Sequence, residues 1–220
     1  MCAANNLENT SDREKLVRKL AEKGLLDAQF EMGVMYENGL DGLPEDGNQA
    51  EEWYRKAALQ GHVEAQFALG WLYDEGSKVP EDALAAARWY RSAAEKGHGL
   101  AMASLGLLYE QGDGGIQQDF ALAAELYQKA AELGHSLAQL WLARLYEKGY
   151  GVAQDMELAF YWYGRAAEGG DDDAMVALAG LYEKGYGAPL NVHKAMEWYG
   201  RAADLGNETA KLHLNISDNA

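Results

Sequence analysis

Residues 65–76 read Ala65-Gln66-Phe67-Ala68-Leu69-Gly70-Trp71-Leu72-Tyr73-Asp74-Glu75-Gly76, and this stretch decides the fold. Ala65, Leu69, Leu72 and Tyr73 fall at offsets of 4, 7 and 8, the spacing of one buried helical face, where a strand would alternate. Gly76 then supplies a C-terminal helix stop. Working outward, the same stretch returns along the chain. Ala28, Ala65, Ala101, Ala138, Ala174 and Ala210 are separated by 37, 36, 37, 36 and 36 residues, and Tyr36, Tyr73, Tyr109, Tyr146 and Tyr182 keep step with them. Each Ala-to-Tyr run ends at Gly39, Gly76, Gly112, Gly149 or Gly185. A fixed period of this length is the signature of a repeat architecture.

A second pattern follows each loop. Ala50-Glu51-Glu52-Trp53-Tyr54-Arg55-Lys56-Ala57-Ala58 recurs as 86–94, 123–131, 159–167 and 195–203, and it predicts a second helix, B, after the first, A. The paired alanines are small where a neighbouring helix must approach, while Trp53, Trp89, Trp162 and Trp198 bring large apolar area; the third copy uses Leu126. Helix B is expected to end at Gly61, Gly97, Gly134, Gly169 or Gly206.

The expected organisation is a flexible tether over 1–10 and one solenoid over 11–214, followed by a polar tail over 215–220. Within the solenoid, 11–23 reads as an orphan helix B opened by the capping box Ser11-Asp12-Arg13-Glu14. Repeats follow over 24–60, 61–96, 97–133, 134–169 and 170–205, with a half repeat over 206–214. One unit cannot bury both its faces, so stability comes from stacking neighbours between atypical ends.

These motifs resemble the Sel-one-like repeat family, relatives of tetratricopeptide repeats. The pattern Ala-Gln-x-x-Leu-Gly-x-Leu-Tyr-x-x-Gly, clearest over 65–76, joins Ala-x-x-Trp-Tyr-x-x-Ala-Ala-x-x-Gly, clearest over 50–61, and together the copies cover roughly residues 11 to 214. The chain departs from the pattern at Ala143 and Ala179, which replace the helix A glycine. Its first three loops also lack the Gly-x-Gly of Gly149-Tyr150-Gly151 and Gly185-Tyr186-Gly187. The resemblance implies an all-α, right-handed superhelical solenoid of helix-turn-helix units that binds another protein and carries no cofactor.

The net charge of −16 excludes a nucleic-acid backbone as partner, because counterion release needs clustered Lys and Arg. The acidity fits either a partner with a basic patch or simple solubility of a repeat array. No apolar run is long enough to span a membrane. Cys2, the one cysteine, precedes a small polar stretch. This resembles the mature start of a bacterial lipoprotein with its lipid on Cys2; the other reading is an intracellular protein that begins Met-Cys.

Catalytic and metal signals are weak. His62, His98 and His135 hold one equivalent position in successive units, two packed helices apart, so they cannot share a zinc ion. Asp171-Asp172-Asp173 lacks the alternation of a calcium loop and precedes a helix, whose N-terminus favours acidic residues. No serine has a Lys three residues on, and Gly112-Asp113-Gly114-Gly115 has no phosphate-loop context. The chain is therefore expected not to be an enzyme.

In tetratricopeptide arrays helix A lines the concave surface, and matched positions carry that role onto Phe30, Val34, Glu37, Phe67, Trp71, Asp74, Glu110, Leu140, Arg144, Glu147 and Glu183. Trp71 stands where other copies have Val34, Leu107, Arg144 and Gly180, and Trp141 stands where they have Glu31, Ala68, Ser104 and Ala177. Either tryptophan is an interface anchor or a local core repair. Glu37, Asp74, Glu110, Glu147 and Glu183 form an acidic ladder near the helix C-termini, where negative charge is mildly unfavourable, so solvation alone does not explain them. The resemblance implies a periplasmic lipoprotein that neutralises a protein partner, as immunity proteins do against phospholipase effectors delivered by type VI secretion. The alternatives are an adaptor or scaffold for an envelope or regulatory complex, which could be cytoplasmic, and a beta-lactam-binding or hydrolysing enzyme.

Overall fold

A computed structural model describes residues 2–214, with side chains from 12 to 214, and among them every regular element is helical. The helices are α1 (Cys2–Glu22), α2 (Leu26–Asn38), α3 (Gly47–Leu59), α4 (Val63–Glu75), α5 (Ala83–Ala94) and α6 (Gly99–Gln111). They continue as α7 (Phe120–Glu132), α8 (Ser136–Lys148), α9 (Met156–Glu168), α10 (Asp172–Lys184), α11 (Val192–Asp204) and α12 (Glu208–His213). Even-numbered helices are the A copies, and the odd-numbered helices from α3 to α11 are the B copies. The all-helical solenoid expected from the period is formed, consecutive helices packing on one another from α1 through α5 in one compact unit and from α7 through α12 in a second. The N-terminal unit comprises residues 1–101 with 112–116, and the C-terminal unit residues 102–111 with 117–220.

Local chemistry fixes where each helix begins and ends. Gly39, Gly76, Gly149 and Gly185 close their A helices with φ of 62, 66, 72 and 69°, the left-handed stop that glycine takes without Cβ strain. Asp46, Asp82, Asp119, Asp155 and Asn191 cap the B helices, their side chains accepting main-chain N–H bonds in the first turn. Their own N–H groups donate to the carbonyls of Tyr36, Tyr73, Tyr109, Tyr146 and Tyr182 at 2.8 to 3.0 Å, so one residue ends the loop and starts the next helix.

The helix pairs close around small residues. Ala57, Ala93, Ala130, Ala166 and Ala202 are fully buried, and the rings of Tyr54, Tyr90, Tyr127 and Tyr163 are among the largest side chains removed from water. A Cβ on Gly70 would come within 2.6 Å of the Tyr90 ring, and one on Gly106 within 2.7 Å of Tyr127. Glycine is what lets these A helices lie against their tyrosines.

Two boundaries differ from the sequence reading. Helix α1 begins at Cys2, not at 11, because no glycine or proline precedes Gly24 to stop it. Ser11 is therefore inside the helix, and Glu14 binds Arg18 at 2.5 Å. The side chain of Cys2 and residues 215–220, like the side chains up to residue 11, lie outside those described. In the fourth repeat the left-handed turn residue is Gly170, at φ 95°, while Gly169 keeps a right-handed helical conformation at φ −73°. Arg18 of α1 donates to the Tyr36 hydroxyl at 3.0 Å, as Arg55 of α3 donates to the Tyr73 hydroxyl at 2.5 Å, so the two helices make a like contact with the helix A that follows each.

Candidate protein-binding cleft

In the N-terminal unit, α2 and α4 border a cleft of about 480 Å³. The structure brings Phe30, Val34, Glu37, Phe67 and Trp71 together in its lining and adds Tyr54, Glu64 and Ala68. The phenylalanines are held from behind. Phe30 packs on Tyr54 at 5.6 Å and stacks on His62 at 5.1 Å; Phe67 packs on Tyr90 at 5.8 Å and stacks on His98 at 4.6 Å. The histidines are fixed in turn. Nδ1 of His62 accepts from the Ala65 N–H and Nδ1 of His98 from the Ala101 N–H, both at 3.1 Å. The Nε2 atoms face Asp27 at 3.1 Å and Glu64 at 3.3 Å. These rings therefore cap helices, and among the described residues no group of His, Cys, Asp and Glu could hold a metal ion. Trp71 differs from the phenylalanines: 48% of it stays exposed, and the A helices pack without an aromatic at this position.

The acidic ladder has an internal partner at every rung. Tyr54 donates its hydroxyl to Glu37 at 2.5 Å, Tyr90 to Asp74 at 3.0 Å, Tyr127 to Glu110 at 2.7 Å, Tyr163 to Glu147 at 2.7 Å and Tyr199 to Glu183 at 3.4 Å. Burial, reinforced by the carboxylate, pushes the Tyr54, Tyr127 and Tyr163 phenols far above their ordinary range and Tyr199 to about 12. A phenol that stays protonated is a neutral donor, so each bond orients its carboxylate without cancelling the charge. Burial also raises the Asp74 carboxyl, against the opposing effect of the Tyr90 hydrogen bond. Asp171 caps α10 through the Ala174 N–H, and its carboxyl is raised by burial in the same way.

In the C-terminal unit the expected stripe divides. Leu140 is corrected outright: at 3% exposure it is part of the core and cannot touch a partner, since its helix turns that aliphatic side chain inward. Trp141 is half-buried and packs on Tyr127 at 5.3 Å. Arg144 is exposed and lies 3.6 Å from Asp173. Glu147 has Lys148 beside it at 3.4 Å. Three cleft residues escape the sequence reading, and for Tyr54 and Glu64 signals exist. Tyr54 recurs in every B helix, and Glu64 sits three and seven residues before Phe67 and Trp71, on one helical face.

Helix pairs of this kind, with surface rings and carboxylates carried on a buried frame, define a helical-repeat scaffold of the protein-binding class. The chain belongs to the Sel1 repeat family, whose model matches residues 26–62, 63–98, 99–135, 136–171 and 172–207. It is similar to a Sel1 repeat protein from Oxalobacter formigenes of known structure, with 37% identity and a TM-score of 0.77 over 85% of this chain and 74% of that one. It is also similar to c5321, a protective antigen present in uropathogenic Escherichia coli strains, with 29% identity and a TM-score of 0.53 over 91% of this chain and 50% of that one. The fold is shared with the immunity protein Pa5087 from Pseudomonas aeruginosa, at 24% identity and a TM-score of 0.52 over 84% of this chain and 67% of that one. No curated protein matches the chain. No helix among the described residues is long and apolar enough to cross a membrane.

Proposed function

We propose that this protein binds and neutralises a partner protein, in the manner of an immunity protein, and that the partner docks on the α2–α4 cleft. The observation that carries the reading is Trp71, a half-exposed aromatic on the rim of a cleft whose other rings are packed in place. Large aromatics at such a rim concentrate binding energy because they bury much area for only two rotatable bonds. The acidity of the chain supports a partner with a basic face. Periplasmic anchoring by a lipid on Cys2 belongs to the same reading and is supported by the sequence alone.

Affinity capture from the source organism with wild type and Trp71→Ala in parallel tests the reading. A secreted toxin held by wild type and released by the variant is the expected result, with the wild-type chain alone restoring growth when the toxin is co-expressed. A partner held equally by both proteins would move the site elsewhere, and capture of envelope assembly proteins would make the chain a scaffold.

A further inference from the structure

We propose that the cleft receives an arginine side chain of the partner, its guanidinium laid on Trp71 and hydrogen-bonded to Glu37 and Glu64. This rests on the docking role proposed above and names the chemistry recognised there. The lining joins an apolar wall of Phe30, Val34 and Phe67 to two carboxylates, with no Lys or Arg among the lining residues. Both carboxylates are already oriented by ring donors. Glu37 accepts from Tyr54, whose phenol is held far above its ordinary range, so that bond leaves the charge uncompensated. Glu64 faces Nε2 of His98; because Nδ1 of that ring accepts from the Ala101 N–H, Nε2 carries the proton it donates. Each carboxylate has acceptor positions to spare beyond that one bond. Lys78, near the C-terminus of α2, is engaged by the main-chain carbonyl of Glu37 and lies 3.3 Å from Glu45.

Two of the molecule's other tryptophans show that such a ring accepts a cation. Lys56 lies over Trp53 at 4.0 Å and Arg201 over Trp198 at 4.1 Å, each cation coming from the ring's own helix. For Trp71 the same contact is supplied in trans. Arginine fits better than lysine, because its plane stacks on the indole while its fork reaches two acceptors and its stem covers the apolar wall. A carboxylate-lined cleft with an aromatic floor discriminates against neutral side chains of the same length, which leave both charges unpaired.

The test is a nuclear magnetic resonance titration of the full chain with a blocked five-residue peptide carrying a central arginine. The same peptide with citrulline or norleucine at that place is titrated in parallel. The reporter is the Trp71 indole N–H, identified by its loss in Trp71→Phe. The arginine peptide is expected to shift it saturably, and the citrulline peptide to bind about tenfold more weakly, the loss of a charge-assisted hydrogen bond. Glu37→Gln and Glu64→Gln are each expected to weaken the arginine peptide about tenfold while keeping an oxygen for Tyr54 and for His98. Equal binding of all three peptides overturns the arginine proposal and leaves an apolar docking cleft, with the protein-binding reading intact. No shift with any peptide also overturns it. Failure of the underlying reading looks different: the captured partner stays bound to Trp71→Ala.

Discussion

Phe30 and Phe67 in the N-terminal unit lie 5.6 and 5.8 Å from Tyr54 and Tyr90; at the matching places the C-terminal unit has Ala103, Leu140 and Val176, and Ala103 is the one on the helix that precedes Tyr127. Tyr127 there receives Trp141 instead, from the following A helix, at 5.3 Å. The site of Trp71 is likewise occupied by Arg144, which turns to Asp173. The two units share caps, stops and tyrosine–carboxylate bonds, yet one leaves a cleft on its A helices and the other spends the corresponding side chains on itself. A repeat template therefore specifies which positions face outward, and the neighbouring side chains decide whether those positions stay available.

The shared frame gives the largest expected effect, and it should strike both units together. Raised phenol pKa values mean that above about pH 10 the folded chain holds protons the unfolded chain has released, so stability is full below about pH 10 and falls as pH climbs through the folded values. Tyr73, pushed up to about 12 by burial and then by Glu51, titrates in the same window. Urea midpoints measured from about pH 8 to about pH 12 should fall steadily beyond about pH 10; a flat profile would mean the tyrosines do not carry the frame.

Substituting the two tryptophans separates the units. Trp141→Ala is expected to cost about 2 to 3 kcal/mol, less than a wholly buried tryptophan because Trp141 is only partly covered. Trp71→Ala should stay within about 0.5 kcal/mol. Equal losses in denaturant titrations would erase the distinction between a structural and a free aromatic. Adding Ala103→Phe to Trp141→Ala rebuilds the N-terminal arrangement on Tyr127 and should recover about 1 kcal/mol, with the double variant more stable than the sum of the single changes. At the small end, Arg144→Ala removes an ion pair whose side chains are 50% and 62% exposed, and its melting temperature should barely move.

Much of this was legible beforehand. The period, the glycine stops and the alanine pairs follow from local rules, and five of the cleft residues follow from aligning repeat with repeat. What escaped depends on partners far apart in sequence. Each hydroxyl–carboxylate bond joins residues 16 or 17 apart on different helices, beyond any single-helix periodicity. Leu140 aligns with Phe30 and Phe67, but alignment does not say how deep an aliphatic side chain will sink beside Trp141. Adjacent Gly169 and Gly170 offered two stops, and the step of 36 residues to Gly206 selects the second.

The bond from Tyr54 to Glu37 is closed within a single repeat, and so are its four counterparts. A gene segment encoding one helix A and its helix B thus carries both halves of the clasp. It can be duplicated or lost in frame without orphaning a hydroxyl or a carboxylate elsewhere. Arrays of this kind can lengthen by copying, and each new copy inherits a sound interior while its outward residues drift toward a different recognition task.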